Sequence, residues 1–233
     1  MKIAIIVPME EEAEFYKKHF KSETKEVFGT TEFDHFSING NDIYLGLSGI
    51  GKVNAAMNLT SLLTKEDIDL VFMTGSAGSM QENVKRKDLI LVDSFAYHDA
   101  HCVSAGEYVG GQIPREPARF NLKSPAREAF KKYLLSQNVD FKEGLVVTGD
   151  TFVQSEAQKD EIKKNFSDAL GVEMEGAAFA QVARHFNTPL VAIRAISDNG
   201  DANADNDFDK FVKEVGAKAA SVISSYLEET VLD

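Results

Sequence analysis

The sequence predicts an α/β protein, a three-layer α/β/α sandwich built on a mixed central sheet. Short β-rich apolar runs alternate with helical patterns along its 233 residues. Helical segments separate most of the later runs, which demands crossover connections, parallel pairing and cover on both sheet faces. Asn39-Gly40-Asn41, set between two further runs, marks a tight hairpin and makes part of the sheet antiparallel. A chain of this length buries roughly 70% or more of its unfolded surface. No low-complexity tract, Pro-rich linker or fixed-period repeat interrupts it, so residues 1–233 are expected to form a single domain.

Taken in order, Lys2 to Val7 reads as a buried strand and Glu10 to Phe20 as a helix with an acidic start. Glu32 to Ile38 and Asp42 to Leu47 are the two hairpin strands. Gly49-Ile50-Gly51 opens a helix that runs to about Thr64. Asp69 to Thr74 is a strand ending in the turn Gly75-Ser76-Ala77-Gly78, and Asp88 to Tyr97 is the next strand. Ser124-Pro125 places an N-cap and a first-turn proline before a helix to about Gln137. Gly144 to Gly149 is a strand, Ser155 to Asn165 a helix, Ala169 to Glu173 a strand and Glu175 to Phe186 a helix. Pro189 to Ile196 is the last strand, and Asp207 to Glu228 a long amphipathic helix.

Composition narrows the function. Lys and Arg number 25 against 37 Asp and Glu, a formal net charge of -12 that repels phosphate backbones and anionic membranes. Neither nucleic acid nor membrane is an expected partner. The N-terminal apolar stretch is too short for a signal segment, and no run reaches the roughly 20 residues of a membrane span. Cys102 is the only cysteine, which excludes an internal disulfide and fits a reducing, cytoplasmic setting.

Ligands of such sheets gather beyond the carboxyl ends of the strands. Those positions hold Met9 and Glu12, Gly49-Ile50-Gly51, the Gly75–Gly78 turn, Asp150-Thr151-Phe152-Val153, Met174-Glu175-Gly176 and Arg194 to Asp198. Several other motifs have ordinary structural readings. Gly46-x-x-Gly49-x-Gly51 and Gly75-x-x-Gly78 do not match the G-x-G-x-x-G dinucleotide fingerprint, and tight turns explain them. His98-Asp99-Ala100-His101-Cys102 lacks a fourth metal ligand at suitable spacing and reads as a polar loop. Asp201-x-Asn203-x-Asp205 starts like a calcium loop, but Asn206 and Val212 stand where Gly and Glu are required. No metal or cofactor is expected. Val172-Glu173-Met174-Glu175-Gly176 resists such a reading, because carboxylates at the end of an apolar strand need partners. One can serve a helix start, and the other wants a ligand or an arginine such as Arg194. Asp198, four residues beyond Arg194, is placed where a raised pKa would keep it protonated near neutrality.

Met9-Glu10-Glu11-Glu12, Ser48 through Ala56, Thr74 through Gly78, Val172 through Glu175 and Arg194 through Asp198 occur in register along nearly the whole chain. Together they resemble the 5′-methylthioadenosine/S-adenosylhomocysteine nucleosidases of the purine nucleoside phosphorylase-like superfamily, with its phosphorylase/hydrolase-like fold. The resemblance implies hydrolysis of the bond between adenine and a 5′-substituted ribose, 5′-deoxyadenosine included, in methionine salvage and recycling of S-adenosylmethionine by-products. It assigns Asp198 as general acid at adenine N7, oriented by Ser76, and Glu12 as the base that activates water. Glu175 would accept the ribose hydroxyls, with Met174 against the sugar and Arg194 supporting the carboxylates. Phe152 would stack on adenine, Val153 would offer its backbone to the base edge, and Ala77 and Gly78 would let the ligand approach closely. Met9, Ile50 and Phe208 would form an apolar slot for the alkylthio group.

Two other functions compete. A phosphorylase of the same superfamily holds phosphate with an arginine-bearing loop after the first strand and an arginine before the Gly-Ser turn. Here three glutamates and Met73 stand in those places, which favours water. A silent nucleoside sensor would not need both Asp198 and Glu12. The resemblance also implies a homodimer in which the loop near residues 101–114 reaches the neighbouring slot. Relatives often carry an aspartate where His101 stands and an aromatic near Ala105. An extra residue around Gly110-Gly111 leaves Tyr108 as the expected aromatic lid.

Overall fold

Side-chain alternation along the first strand sets the layering. In β1 (Lys2–Val7), Ile3, Ile5 and Val7 face one hydrophobic layer while Ala4 and Ile6 face the other, and all five are fully buried. The computed structural model describes residues 1–102 and 108–232. Helix α1 (Glu10–His19) follows, with three glutamates in its first turn and Lys17, Lys18 and His19 in its last, both favourable to the helix dipole. Strands β2 (Thr24–Phe28), β3 (Thr31–Ile38) and β4 (Asn41–Leu47) form an antiparallel wing. Asn39 at φ 49° and Gly40 at φ 79° make the two-residue turn between β3 and β4, where both positions need left-handed backbone.

Helix α2 (Lys52–Leu63) leads to β5 (Leu70–Ser79), buried along its whole length, then to β6 (Leu89–Tyr97) and the two-residue β7 (Phe120–Asn121). In α3 (Pro125–Ser136), Ser124 Oγ caps the helix by accepting the Arg127 amide at 3.1 Å. Strand β8 (Lys142–Thr148), α4 (Glu156–Lys163), the short β9 (Gly171–Glu173) and α5 (Gly176–Phe186) come next. Asn187 ends α5 in the left-handed region at φ 54°. Strand β10 (Leu190–Asp198) and the long α6 (Ala204–Glu229) complete the order.

The sheet runs β10-β6-β8-β9-β5-β1-β4-β3-β2, and β10 also pairs with β5. One end of the mixed sheet therefore closes on itself through β5, β10, β6, β8 and β9, while the other end stays open. Helices α2 and α5 cover one face; α1, α3 and α6 cover the other. Three features depart from the sequence reading, the two-residue β7 among them. Gly75 to Gly78 are not a turn after the strand but part of β5, paired in parallel with Arg194 to Asp198 of β10. Strand β2 escapes a hydrophobic reading because it is a mostly exposed edge strand with little apolar alternation.

Closure delivers the carboxyl ends of β1, β5, β9 and β10 to one rim. The pairing of β10 with β5 shifts register between Ile196 and Asp198, so Ser197 is the extra residue of a bulge. Bulges re-aim side chains, and this one brings Asp198 opposite Gly78.

Candidate active site

That rim surrounds a cleft of about 370 Å³. It brings together Met9, Glu12, Ile50, Ser76, Ala77, Gly78, Phe152, Met174, Glu175, Arg194, Asp198 and Phe208. Val153 is absent from its walls, with its side chain packed among Met80, Leu145, Ile162 and Phe166. Glu173, Ser197, Asp205 and Asp209 line the cleft as well, although the sequence reading gives them no ligand contact. Adjacency to Asp198 was the available signal for Ser197, and the strand-end carboxylate pair was the signal for Glu173.

Arg194 is the electrostatic centre, 1% exposed midway along β10. Its Nη2 donates to Glu173 Oε2 and, at 3.2 Å, to Glu175 Oε2. Burial works against its charge, but Glu173, Glu175 and Glu12 more than offset that and hold the guanidinium protonated. Gly75 makes room for this group. At φ 146° it takes a backbone conformation rare for other residues, and a Cβ there would lie 2.2 Å from Arg194 Nη1 and 3.0 Å from Glu12 Oε1.

The three carboxylates are held differently. Glu173 accepts the Glu175 amide at 3.0 Å and the Gly176 amide at 2.8 Å, with a further bond from the Thr148 hydroxyl. It thus serves the start of α5. Glu175 Oε1 accepts the Gly51 amide at 2.9 Å. Burial and the neighbouring Glu173 push its pKa up, against the pull of Arg194 and Gly51. Glu12, in the first turn of α1, accepts the Ser76 amide at 2.7 Å and the Ser76 hydroxyl at 2.8 Å on Oε1. Its Oε2 accepts the Met9 amide at 3.2 Å. Burial raises its pKa too, opposed by Arg194 and Ser76.

Asp198 lies on the far side of Ser76. The expected bond from Ser76 to Asp198 is not made, because Ser76 is committed to Glu12. Asp198 instead accepts Ser197 Oγ on Oδ2 and the Gly200 amide on Oδ1, both at 2.7 Å. Burial lifts its pKa, aided by Asp201 and Asp207, while these two hydrogen bonds pull the other way. A Cβ on Gly78 would come within 2.9 Å of Asp198 Oδ1, so the glycine admits the carboxyl itself. Phe152 and Phe208 form an edge-to-face pair 5.8 Å apart on the apolar wall, near Met9, Ile50 and Met174.

The polar loop at His98–Cys102 has a structural task. Asp99 accepts Lys52 Nζ at 2.6 Å and the Asp150 amide at 2.9 Å, tying the start of α2 to the loop after β8. The expected aromatic position near Ala105 lies outside the described residues, which resume at Tyr108. Among the described residues no three side chains gather at metal-ligand spacing, and no helix is long and apolar enough to cross a membrane.

The fold is that of the phosphorylase superfamily, whose family model matches residues 2–228. A 5′-methylthioadenosine/S-adenosylhomocysteine nucleosidase of Haemophilus influenzae (strain PittEE) is 36% identical over 228 residues, covering 98% of this chain and 99% of its own. The same nucleosidase of Streptococcus pneumoniae, solved with the transition-state inhibitor MT-ImmA, has a TM-score of 0.92 at 35% identity, covering 98% of this chain and 99% of its own. An S-adenosylhomocysteine nucleosidase of Streptococcus pyogenes, solved with 5-methylthiotubericidin, has a TM-score of 0.93 at 31% identity, covering 100% of this chain and 98% of its own. The chain belongs to the 5′-methylthioadenosine/S-adenosylhomocysteine nucleosidase family of N-glycosyl hydrolases.

The raised Asp198 pKa has a measurable consequence. Unfolded, this group titrates near 3.9. Folded, it keeps its proton to higher pH, so above that value the folded state binds more protons and loses stability as pH rises. Asn at this position has no proton to lose. The melting temperature of Asp198→Asn minus that of the wild type is therefore expected to grow more positive from about pH 4 to about pH 8. A difference that stays constant across thermal melts in this range contradicts the assignment.

Proposed function

We propose that the chain hydrolyses the N-glycosidic bond of 5′-methylthioadenosine and S-adenosylhomocysteine, and also of 5′-deoxyadenosine. It releases adenine and the 5-substituted ribose. The observation that carries this reading is the arrangement of two buried carboxyl groups along β5. Glu12 is bonded to Ser76 and Asp198 is paired with Gly78, two residues and roughly 7 Å farther along the strand. Both face one cleft, with room for the reacting bond between them.

As the C1′–N9 bond lengthens, its electron pair moves into adenine and Asp198 delivers its proton to N7. Positive charge develops on the ribose, as in oxocarbenium-like glycoside hydrolysis. Water attacks C1′ and Glu12 takes its proton. Proton exchange with solvent then restores both carboxyl groups. Raised pKa values suit both roles, because acid and base work best near the operating pH. Glu175, held by Gly51 and Arg194, accepts the ribose hydroxyls, with Met174 against the sugar. Phe152 stacks on the base, and the buried side chain of Val153 leaves recognition at that position to its main chain. Met9, Ile50 and Phe208 receive the 5′ substituent.

Water is favoured over phosphate by the occupancy of the anion-binding donors. The amide and hydroxyl of Ser76 already serve Glu12, and Arg194 serves Glu173 and Glu175. An incoming phosphate would meet three carboxylates instead of free donors. A homodimer is supported by the outer face of α2 and α5, where Val53 (68%), Met57 (54%) and Phe186 (39%) are exposed large apolar side chains. The physiological reading is methionine salvage and recycling of S-adenosylmethionine by-products in the cytoplasm, with the segment near 101–114 beside the neighbour's slot.

Adenine release from 5′-methylthioadenosine, followed by ultraviolet absorbance, is expected at equal rates with and without phosphate or arsenate. Dependence on either anion overturns hydrolysis in favour of phosphorolysis. Asp198→Asn and Glu12→Gln should each lower kcat by about 10²-fold or more. Calorimetry should still detect binding of a non-hydrolysable analogue, and a near-normal kcat removes that residue from the mechanism. Glu175→Ala should cost ribonucleosides more of their kcat/KM than 2′,3′-dideoxy analogues; equal losses make Glu175 structural.

A further inference from the structure

We propose that Lys159 is a positioning residue for the acid, its ammonium pinning the turn that presents Asp198 to the departing base. This rests on the assignment of Asp198 as the proton donor. Lysine is seldom buried, yet Lys159 on α4 is only 8% exposed. Its Nζ donates at 2.8 Å to the carbonyl of Asn199, the residue directly after Asp198. The nearby carboxylate is Glu156 at 3.5 Å, 66% exposed, and a solvated pair of that kind contributes little. Lys159 is thus committed chiefly to a main-chain oxygen of the turn.

The next residue completes the link. Gly200, left-handed at φ 62°, donates its amide to Asp198 Oδ1 at 2.7 Å. A Cβ on Gly200 would lie 3.3 Å from Lys159 Cδ and 3.4 Å from the Ser79 carbonyl, so the lysine stem and the end of β5 hold the turn between them. Lys159 therefore holds the carbonyl of the Asn199–Gly200 peptide, and the N–H of that same peptide fixes one oxygen of the acid. That has a chemical consequence. An amide N–H is best met by the carbonyl-type oxygen of a protonated carboxyl, which leaves the transferable proton to Oδ2. Ser197 Oγ, which lies near Oδ2, is also 3.3 Å from the Ala77 carbonyl and donates there when Oδ2 carries the proton. Oδ2–H is then free to face the purine.

The carboxylate cluster around Arg194 makes its bonds to Thr148, Ser76, Gly51, Met9 and the start of α5 and none to Lys159 or the turn it holds, so losing the Lys159 contact strikes proton delivery selectively. A misplacement of about 1 Å in such a group can reduce rate on the order of 10²-fold. The test compares two substrates sharing one sugar: 5′-methylthioadenosine, whose base needs a proton to leave, and a 4-nitrophenyl 5-methylthioriboside, whose nitrophenolate leaves without one. Lys159→Met should lower kcat for adenine release by roughly tenfold to a hundredfold, with KM retained and nitrophenolate release retained. Lys159→Arg, which keeps a cationic donor, should recover most of the loss. Equal loss on both substrates, including loss through misfolding, makes Lys159 structural and overturns the inference; so does no loss on either. Asp198→Asn is run alongside. If it too loses both activities equally, the acid assignment fails. If it is selective for adenine and Lys159→Met is not, only the role of Lys159 fails.

Discussion

One guanidinium surrounded by three carboxyl groups, all out of water, is the constraint that organises this protein. Arg194 answers Glu173 and Glu175 directly and Glu12 through the field, and each acid needs further donors because one cation cannot neutralise three anions. Those donors come from the backbone. Glu173 takes the first amides of α5, Glu175 takes Gly51 before α2, and Glu12 takes Ser76 in β5. The cluster thereby locks together the ends of separate elements. Losing Arg194 would leave buried anions unpaired, the costly direction of such an imbalance.

The same burial creates chemistry. It makes Glu12 and Glu175 bind protons more tightly than in water, against the pull of Arg194, which readies them for proton traffic. Asp198 reaches that condition away from the arginine. It lies beyond the arginine cluster, and its pKa rises chiefly through burial, with Asp201 and Asp207 adding to the effect. The proposed acid and base are thus tuned by different neighbours while sharing one strand as a ruler, Glu12 against Ser76 and Asp198 opposite Gly78. Sheet closure makes this possible, because β5 must pair with β10 and still reach β9 at its final residues.

Much of the fold was legible because local chemistry agreed with the tertiary outcome. Asn39-Gly40 supplies the left-handed pair that its turn needs, and Ser124-Pro125 caps and starts α3. Where local chemistry was silent, reading failed. Strand β2 carries mostly exposed residues, and β7 is only two residues long. Gly75 to Gly78 looked like a turn because glycine usually breaks strands. In fact Gly75 is placed there by what crosses above it, the side chains of Arg194 and Glu12.

Sequence alone determined which residues are candidates for the chemistry: the acids near the strand ends, an arginine to answer them, the aromatic and methionine side chains of an apolar wall. These follow from residue type and from the period of burial, both local properties. Tertiary structure decided who serves whom. Ser76 holds Glu12 and Ser197 holds Asp198 because a bulge at Ser197 re-aims the end of β10, and Lys159 arrives from a distant helix to meet the next turn. The Ser76–Glu12 and Lys159–Asn199 pairings depend on distances of a few ångströms between segments far apart in the chain, and side-chain identity does not encode them until the sheet has closed.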